Sequence, residues 1–545
     1  MRHHLTWMCC TLLSLGAFGQ SDLMHALDLI GLQFDQSEQD SMYEGVMDSR
    51  EAIIEMRSFS LSNDVPPALY FNPLPTDFQV SPAGDPVAWQ ITEDVELPPN
   101  NSDLAFYSIM QLASLIKQQK ITSTALTQFF LDRLTEHGDT LECVVSITKE
   151  RALKMAAKAD EEIASGAYRG PLHGIPYGAK DLLAVPEYLT TWGAMPYKDQ
   201  MLEATATVVE KLDAAGAILV AKLTLGALAW GDVWYGGVTR NPWNLEQGSS
   251  GSSAGSASAT VAGLVPFAIG TETLGSIVSP STRCAASGLR PTFGRVSRAG
   301  AMALSWSMDK IGPICRSARD CAIVFEAIAG ADGKDYTVMD AAFPYQQDAD
   351  PKALRVGYFE NLFNPKSANY QKDSVVLETL RQGGIKLEPI TYDLEIPVGP
   401  LRIILNVEAA AAFDELTRSN QDSLLVRQIK NAWPNVFREA RLIPAVEYVQ
   451  ANRMRSALID KFHALIQDYD VIVTPSFSGS QLLVTNLTGQ PCMVVPHGFA
   501  ESGSGTSISF IGNLFEEHKI LTLASYFQEL TEHEDIHPPL FYNED

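Results

Sequence analysis

The chain has 545 residues, of which 46% are apolar and 19% charged, so it can bury a large core and is not a mostly disordered polypeptide. Forty basic against 65 acidic residues leave a net charge of −25, which repels phosphate backbones and argues against a nucleic-acid partner or a strongly anionic membrane surface. The seven cysteines include no C-x-x-C pair, which excludes a disulfide scaffold and gives no support to a structural zinc site.

The first 19 residues read as a secretory signal peptide. Arg2, His3 and His4 precede a largely apolar stretch, 5–15, that is too short to span a bilayer. Ala17-Phe18-Gly19 then places small residues two apart, and cleavage is expected after Gly19. The product is expected to be secreted or periplasmic. No later apolar run reaches about 18 residues, so no membrane span is predicted.

Residues 20–104 read as an accessory segment. Its first half is acidic and helical in pattern, with Leu23, Leu27, Leu29, Ile30 and Leu32 among carboxylates. Its second half is proline-rich; Pro66, Pro67, Pro73, Pro75, Pro82 and Pro86 suit neither helix interiors nor central strands, so it should wrap a surface.

Residues 105–545 read as one large domain. Ser123 is expected to cap a helix bearing Leu126, Phe129, Phe130 and Leu134 and ending at Gly138. Further helices are expected at about 150–166 and 205–216. Short apolar strands are expected at 217–221, ahead of Lys222, and at 471–473. Helices alternating with fully apolar strands predict an α/β fold with a large mixed sheet covered by helices on both faces.

The least ordinary stretch is Gln247-Gly248-Ser249-Ser250-Gly251-Ser252-Ser253-Ala254-Gly255-Ser256. Its composition is that of a flexible linker. It runs, however, straight into the small, buried-looking 257–262 segment, the apolar 264–269 stretch and Gly270-Thr271-Glu272-Thr273-Leu274-Gly275-Ser276. Small residues between core elements allow close backbone approach and turns that aim amide groups into a pocket.

These motifs, with Gly170-Pro171-Leu172-His173-Gly174-Ile175-Pro176-Tyr177-Gly178-Ala179-Lys180-Asp181 upstream and Asn486-Leu487-Thr488-Gly489-Gln490-Pro491 downstream, resemble the amidase signature family of serine hydrolases over 105–545. The resemblance implies the amidase-signature fold and hydrolysis of a linear amide through an acyl-enzyme. It implies a small-molecule amide as the substrate, no metal and no organic cofactor. It also implies a Ser-Ser-Lys triad: nucleophile Ser276, bridging serine Ser252 and base Lys180. The 24-residue interval from Ser252 to Ser276 matches the family and selects Ser252 over the adjacent Ser253.

The chemistry is coherent. A serine hydroxyl needs a base, a lysine is a base only when desolvation keeps it neutral, and a second hydroxyl can pass a proton between them. Backbone N–H groups of Thr273, Leu274, Gly275 and Ser276 are the expected oxyanion hole, typically worth about 3 kcal/mol per donor. Lys222 is the rival base.

Two departures stand out. Leu274 occupies a position that is often glycine, and Val278 stands where an arginine often pairs with the acid, here Glu272. That charge pair is expected to be absent or rearranged. Ser253, Trp230 and Trp234 are candidates for the substrate pocket; the tryptophans, with Tyr235, are equally core candidates. Gly251-Ser252-Ser253-Ala254-Gly255 also fits a nucleophile elbow, but 241–246 does not read as the strand that should precede one. His533 to His537 could suggest a metal site and equally polar surface. Cys315 and Cys321 could pair as a disulfide, and Cys284 reads as a small buried hydrophobe.

The sequence therefore predicts a secreted amidase, with homo-oligomerisation open. Its rivals are the glutamine-hydrolysing component of a tRNA-dependent amidotransferase and an inactive amidase-like binding protein. Mass spectrometry of protein secreted by its native host should find Gln20 at the mature N-terminus; an intact Met1 would overturn the signal-peptide reading.

Overall fold

Eleven strands hydrogen-bond into one sheet in the computed structural model, which describes residues 22–542 apart from 57, 59–61, 66–68 and 93. The signal segment lies outside the described residues. In chain order the strands are β1 (Val144–Ile147), β2 (Pro176–Lys180), β3 (Ile218–Leu223), β4 (Phe267–Glu272), β5 (Ser287–Arg290), β6 (Lys310–Cys315), β7 (Val356–Phe359), β8 (Leu387–Ile390), β9 (Val471–Pro475), β10 (Cys492–Phe499) and β11 (Gly505–Gly512). Across the sheet they run β1-β3-β2-β4-β6-β5-β10-β11-β9-β7-β8. The trios β3-β2-β4 and β9-β7-β8 are parallel. All other neighbours are antiparallel.

Alternate side chains along a strand enter different clusters, which is why these strands read as continuous apolar runs. Phe267 and Ile269 join the main core with Tyr177, whose ring stacks on Phe267 at 5.3 Å. Ala268 between them faces a second cluster with Leu131 and Leu134. The expected mixed sheet with a covered core on each face is what forms.

Several boundaries differ from the sequence reading. Thr122, not Ser123, caps the Ser123–Leu141 helix, its side chain accepting from the Ala125 amide. Ser123 is occupied otherwise: its Oγ donates to the Gly174 carbonyl at 2.9 Å, tying the helix to the segment that leads into β2. Gly138 does not end the helix; a Cβ there would lie 3.1 Å from Val144 Cγ2, so the glycine serves close packing on β1. The helix at Thr207–Ala215 does stop at Gly216, with φ of 84°. Lys222 lies within β3 rather than beyond it.

The accessory segment contains helices at 22–29 and Gln36–Met56, then no helix or strand among its described residues up to the Asn101–Leu104 turn. It is clamped to the main body. Asn63 Nδ2 donates to the Ala303 carbonyl at 3.0 Å, and the Ala303 amide donates back to Asn63 Oδ1 at 2.7 Å. Phe71 packs edge-on against Phe293 at 5.0 Å, and the Arg455 guanidinium lies 3.4 Å from its ring centroid.

Candidate active site

Lys180 ends β2 with its side chain fully buried. Its Nζ donates to Ser252 Oγ at 2.8 Å, Thr271 Oγ1 at 2.8 Å, Ser253 Oγ at 3.1 Å and the Thr271 carbonyl at 3.4 Å. Among the described residues no carboxylate forms an ion pair with it. Burial pushes its ammonium well below the usual lysine range, only partly opposed by the charges of Asp309 and Glu272. Once deprotonated, its lone pair can accept the Ser252 hydroxyl proton across the same contact.

Lys222 is buried to the same degree and differs in one respect: Asp181 Oδ1 lies 2.8 Å from its Nζ. It also donates to the Leu189 carbonyl and Thr190 Oγ1. Burial lowers its ammonium too, but here the charge and hydrogen bond of Asp181 oppose the shift, a partner that Lys180 lacks among the described residues. The two lysines that sequence left as rivals are thus separated by the carboxylate of Asp181, which is turned to Lys222 and not to its chain neighbour Lys180.

Ser252 lies in the loop before the Ala254–Val261 helix, where the Gly251–Ser252 peptide is cis. The Ser253 amide donates to the Ser276 carbonyl at 3.2 Å, which sets this loop against the turn that carries Ser276. Ser276 and Gly251 line a cavity of about 620 Å³ together with Thr273 and Leu274. The turn is fixed by Glu272. One oxygen of its carboxylate accepts from the amides of Ile277 and Val278; the other accepts from Arg290 Nη1 and Asn486 Nδ2, at 2.8 and 2.9 Å. The amides of Thr273, Leu274, Gly275 and Ser276 are given to no carbonyl or side chain among the described residues. Gly275, at φ of 85°, is the turn position that demands glycine; Leu274 has no positive φ, so a side chain is accommodated there and lines the cavity.

The charge pair missing at Val278 is therefore rearranged rather than lost. Arg290 of β5 supplies the guanidinium, and both partners are fully buried. Burial alone would raise the Glu272 carboxyl, but Arg290 and the Val278 amide hold it down at about 2. Sequence reasoning missed Arg290, and it held Asn486 only as part of a downstream motif, with no role assigned. An isolated arginine in a strand carries no local signal; only the lone acid Glu272, left without its usual partner, pointed to one.

The remaining candidates divide. Trp230 lines the cavity beside Ser276. Trp234 does not; it is buried against Tyr235 at 4.8 Å. Ser253 is turned inward, its Oγ accepting from the Thr271 amide and donating to the Thr271 carbonyl, both at 3.1 Å. A strand does precede the serine loop, Asn244–Gly248, but it belongs to a two-stranded ribbon outside the main sheet, and the central elbow position, Ser253, is off the cavity. Cys315 and Cys321 are free buried thiols, as is Cys284, whose thiol burial pushes far up. His537 stacks on Phe106 at 4.0 Å.

Comparison with known proteins shows the family. A family profile described as Amidase matches residues 125–484. The A subunit of the glutamyl-tRNA(Gln) amidotransferase of Psychrobacter sp. (strain PRwf-1) is 30% identical over 488 residues, 79% of this chain and 97% of the relative. Its counterpart from Roseiflexus sp. (strain RS-1) is 32% identical over 461 residues, 76% of this chain and 94% of the relative. The native peptide amidase of Stenotrophomonas maltophilia superposes with a TM-score of 0.69 at 28% identity, covering 79% of this chain and 98% of that one.

Arg290→Met should leave Glu272 buried and uncompensated, at a cost of about 3–5 kcal/mol. The Glu272 value in the fold lies below its ordinary 4.5, so its contribution is complete above that range and lost as pH falls towards about 2. The variant should lose this contribution and unfold at a higher pH than wild type in an acid titration followed by circular dichroism. An unchanged acid transition would show that Arg290 does not hold Glu272 ionised.

Proposed function

The chain belongs to the amidase signature family and is an enzyme of amide C–N bonds; on that premise we propose that it hydrolyses linear amides with Ser276 as nucleophile, Ser252 as proton bridge and Lys180 as base. Neutral Lys180 takes the Ser252 proton while Ser252 takes that of Ser276. The Ser276 oxygen then bonds to the substrate carbonyl carbon, whose π pair moves onto oxygen facing the free amides of the 273–276 turn. Collapse breaks the C–N bond, and the proton returns from Lys180 through Ser252 to the leaving amine. Water repeats the sequence on the acyl-enzyme, releasing acid and free Ser276. The observation that carries this reading is the buried Lys180 amine, 2.8 Å from Ser252 Oγ and with no ion-pair partner among the described residues to hold it charged.

A second reading, the glutamine-hydrolysing component of an amidotransferase, is favoured by the names of the relatives at 30% and 32% identity. The net charge of −25 and the signal-like N-terminus speak for an enzyme acting alone outside the cytoplasm. Turnover of simple amides by the purified chain, without partner or tRNA, decides between them.

Ser276→Ala should abolish labelling by a fluorophosphonate and lower turnover by about 10⁶-fold; wild-type rates in this variant would refute the assignment.

The pH dependence follows from Lys180. Its neutral form accumulates as pH rises through a value that burial sets well below 10.5, so kcat/KM should climb with pH on a single limb centred below 10.5 and then level. Lys180→Ala should remove this limb with most of the rate. Lys222→Ala, which strands Asp181, should lower the melting temperature yet keep the limb. A limb that survives in Lys180→Ala, or vanishes in Lys222→Ala protein that is folded, would displace Lys180 as the base.

A further inference from the structure

A second cavity, of about 220 Å³, adjoins the one that holds Ser276: Ala229, Thr273 and Leu304 line both. Its wall is the 299–304 stretch and Ile311, and its outer side is Leu69, Tyr70 and Phe71 of the accessory segment. The charged groups deepest along it are already engaged. Asp309 accepts from Thr273 Oγ1 at 2.6 Å and from the amides of Leu304 and Ser305, Arg298 pairs with Asp335 at 2.8 Å, and Lys310 Nζ donates to the Met308 carbonyl. What remains for a ligand is mainly apolar surface. The mouth is apolar as well, with Leu69 75%, Tyr70 59% and Tyr336 75% exposed. Exposed large apolar side chains gathered at the opening of an apolar cavity mark a binding surface.

We propose that this cavity receives an apolar portion of the amide substrate, a hydrocarbon chain or aromatic ring, while the amide lies at Ser276, and that the accessory strap clamped by Asn63 and Phe71 is the outer wall of the subsite. The proposal rests on the catalytic reading above and names its substrate class. The volume is adequate, since an apolar cavity of about 150 Å³ already accepts benzene. The strap is what makes the surface concave. Asn63 holds Ala303 by two reciprocal hydrogen bonds, and Arg455 and Phe293 hold Phe71, so Leu69 and Tyr70 are suspended over the 299–304 stretch between two fixed points.

The test is a chain-length series on the wild-type protein. Unbranched primary amides from propanamide to decanamide form one arm and N-alkylacetamides the other, so the arms tell whether the acyl or the amine side is bound. In one arm kcat/KM should rise about fourfold per methylene until the cavity is filled, then level. Ala303→Phe should end the rise at a shorter chain, and Phe71→Ala should flatten it by opening the outer wall. Labelling of wild-type Ser276 by a small fluorophosphonate reports on the catalytic reading separately. A series that is flat in both arms, with Ser276 labelled, overturns the subsite; absence of labelling at Ser276 overturns the catalytic reading itself. A rise in wild type that neither variant alters would place the apolar site elsewhere.

Discussion

A lysine amine buried without a counter-ion is the constraint around which this site is arranged. Removing an ammonium from water is expensive, and a paired carboxylate would oppose the resulting loss of basicity. The chain places such a carboxylate on the very next residue, Asp181, and then removes it from play. Asp181 meets Lys222 at 2.8 Å and also accepts from the Thr191 amide and hydroxyl at 2.8 and 2.6 Å. Successive residues at a strand end point to opposite sides, so Lys180 and Asp181 part company and each finds a separate environment. Asp181 is thereby turned away from Lys180, whose amine contacts only hydroxyls and a carbonyl.

Glu272 follows the same logic with opposite sign. It is a buried anion at the end of β4, and every interaction it makes is directed at shape. Two amides just past Ser276 close the turn onto it, and Arg290 and Asn486 anchor it from β5 and from the Gln481–Thr488 helix. Because its charge is compensated, it adds little field to the cavity. Because its contacts are directional, it leaves the 273–276 amides pointing where no other acceptor competes for them. Preorganised donors of this kind need no reorganisation when charge develops, which is the source of their large effect.

How much of this was legible in sequence depends on where the partner of each residue lies. Lys180, Ser252 and Ser276 are singled out only by three ordered small-residue motifs taken together, and the apolar runs at β3, β4 and β9 declare buried strands. Arg290 and Asn63 sit in ordinary contexts, Asn486 in a motif that does not announce its role, and the three act through contacts 18, 240 and 214 residues away, respectively. The helix ends failed for a related reason. Ser123 has cap chemistry, but Gly174 claimed its hydroxyl, and Gly138 has terminator chemistry, but Val144 required its missing side chain. Trp230 and Trp234, alike in sequence, divide between cavity and core by the fold of a short ribbon that no periodicity announces.

The accessory segment shows why composition and function need not share a boundary. Its proline-rich half lacks a core of its own, and its described residues are ordered by what they lie on: Ala303, Phe293, Arg455 and, further along, Glu326, which accepts from the Trp89 indole. Prolines restrict the unfolded chain, so such a strap loses less entropy on docking than a flexible one of equal length. In return it makes the apolar 299–304 surface beside Thr273 one wall of a concave, partly open volume. The catalytic motifs belong to the sheet and its loops, but the shape of the space next to them is set by a segment that lies well ahead of the first strand in the chain. In the subsite proposed above, the strap and the sheet together set the shape, and neither sets it alone.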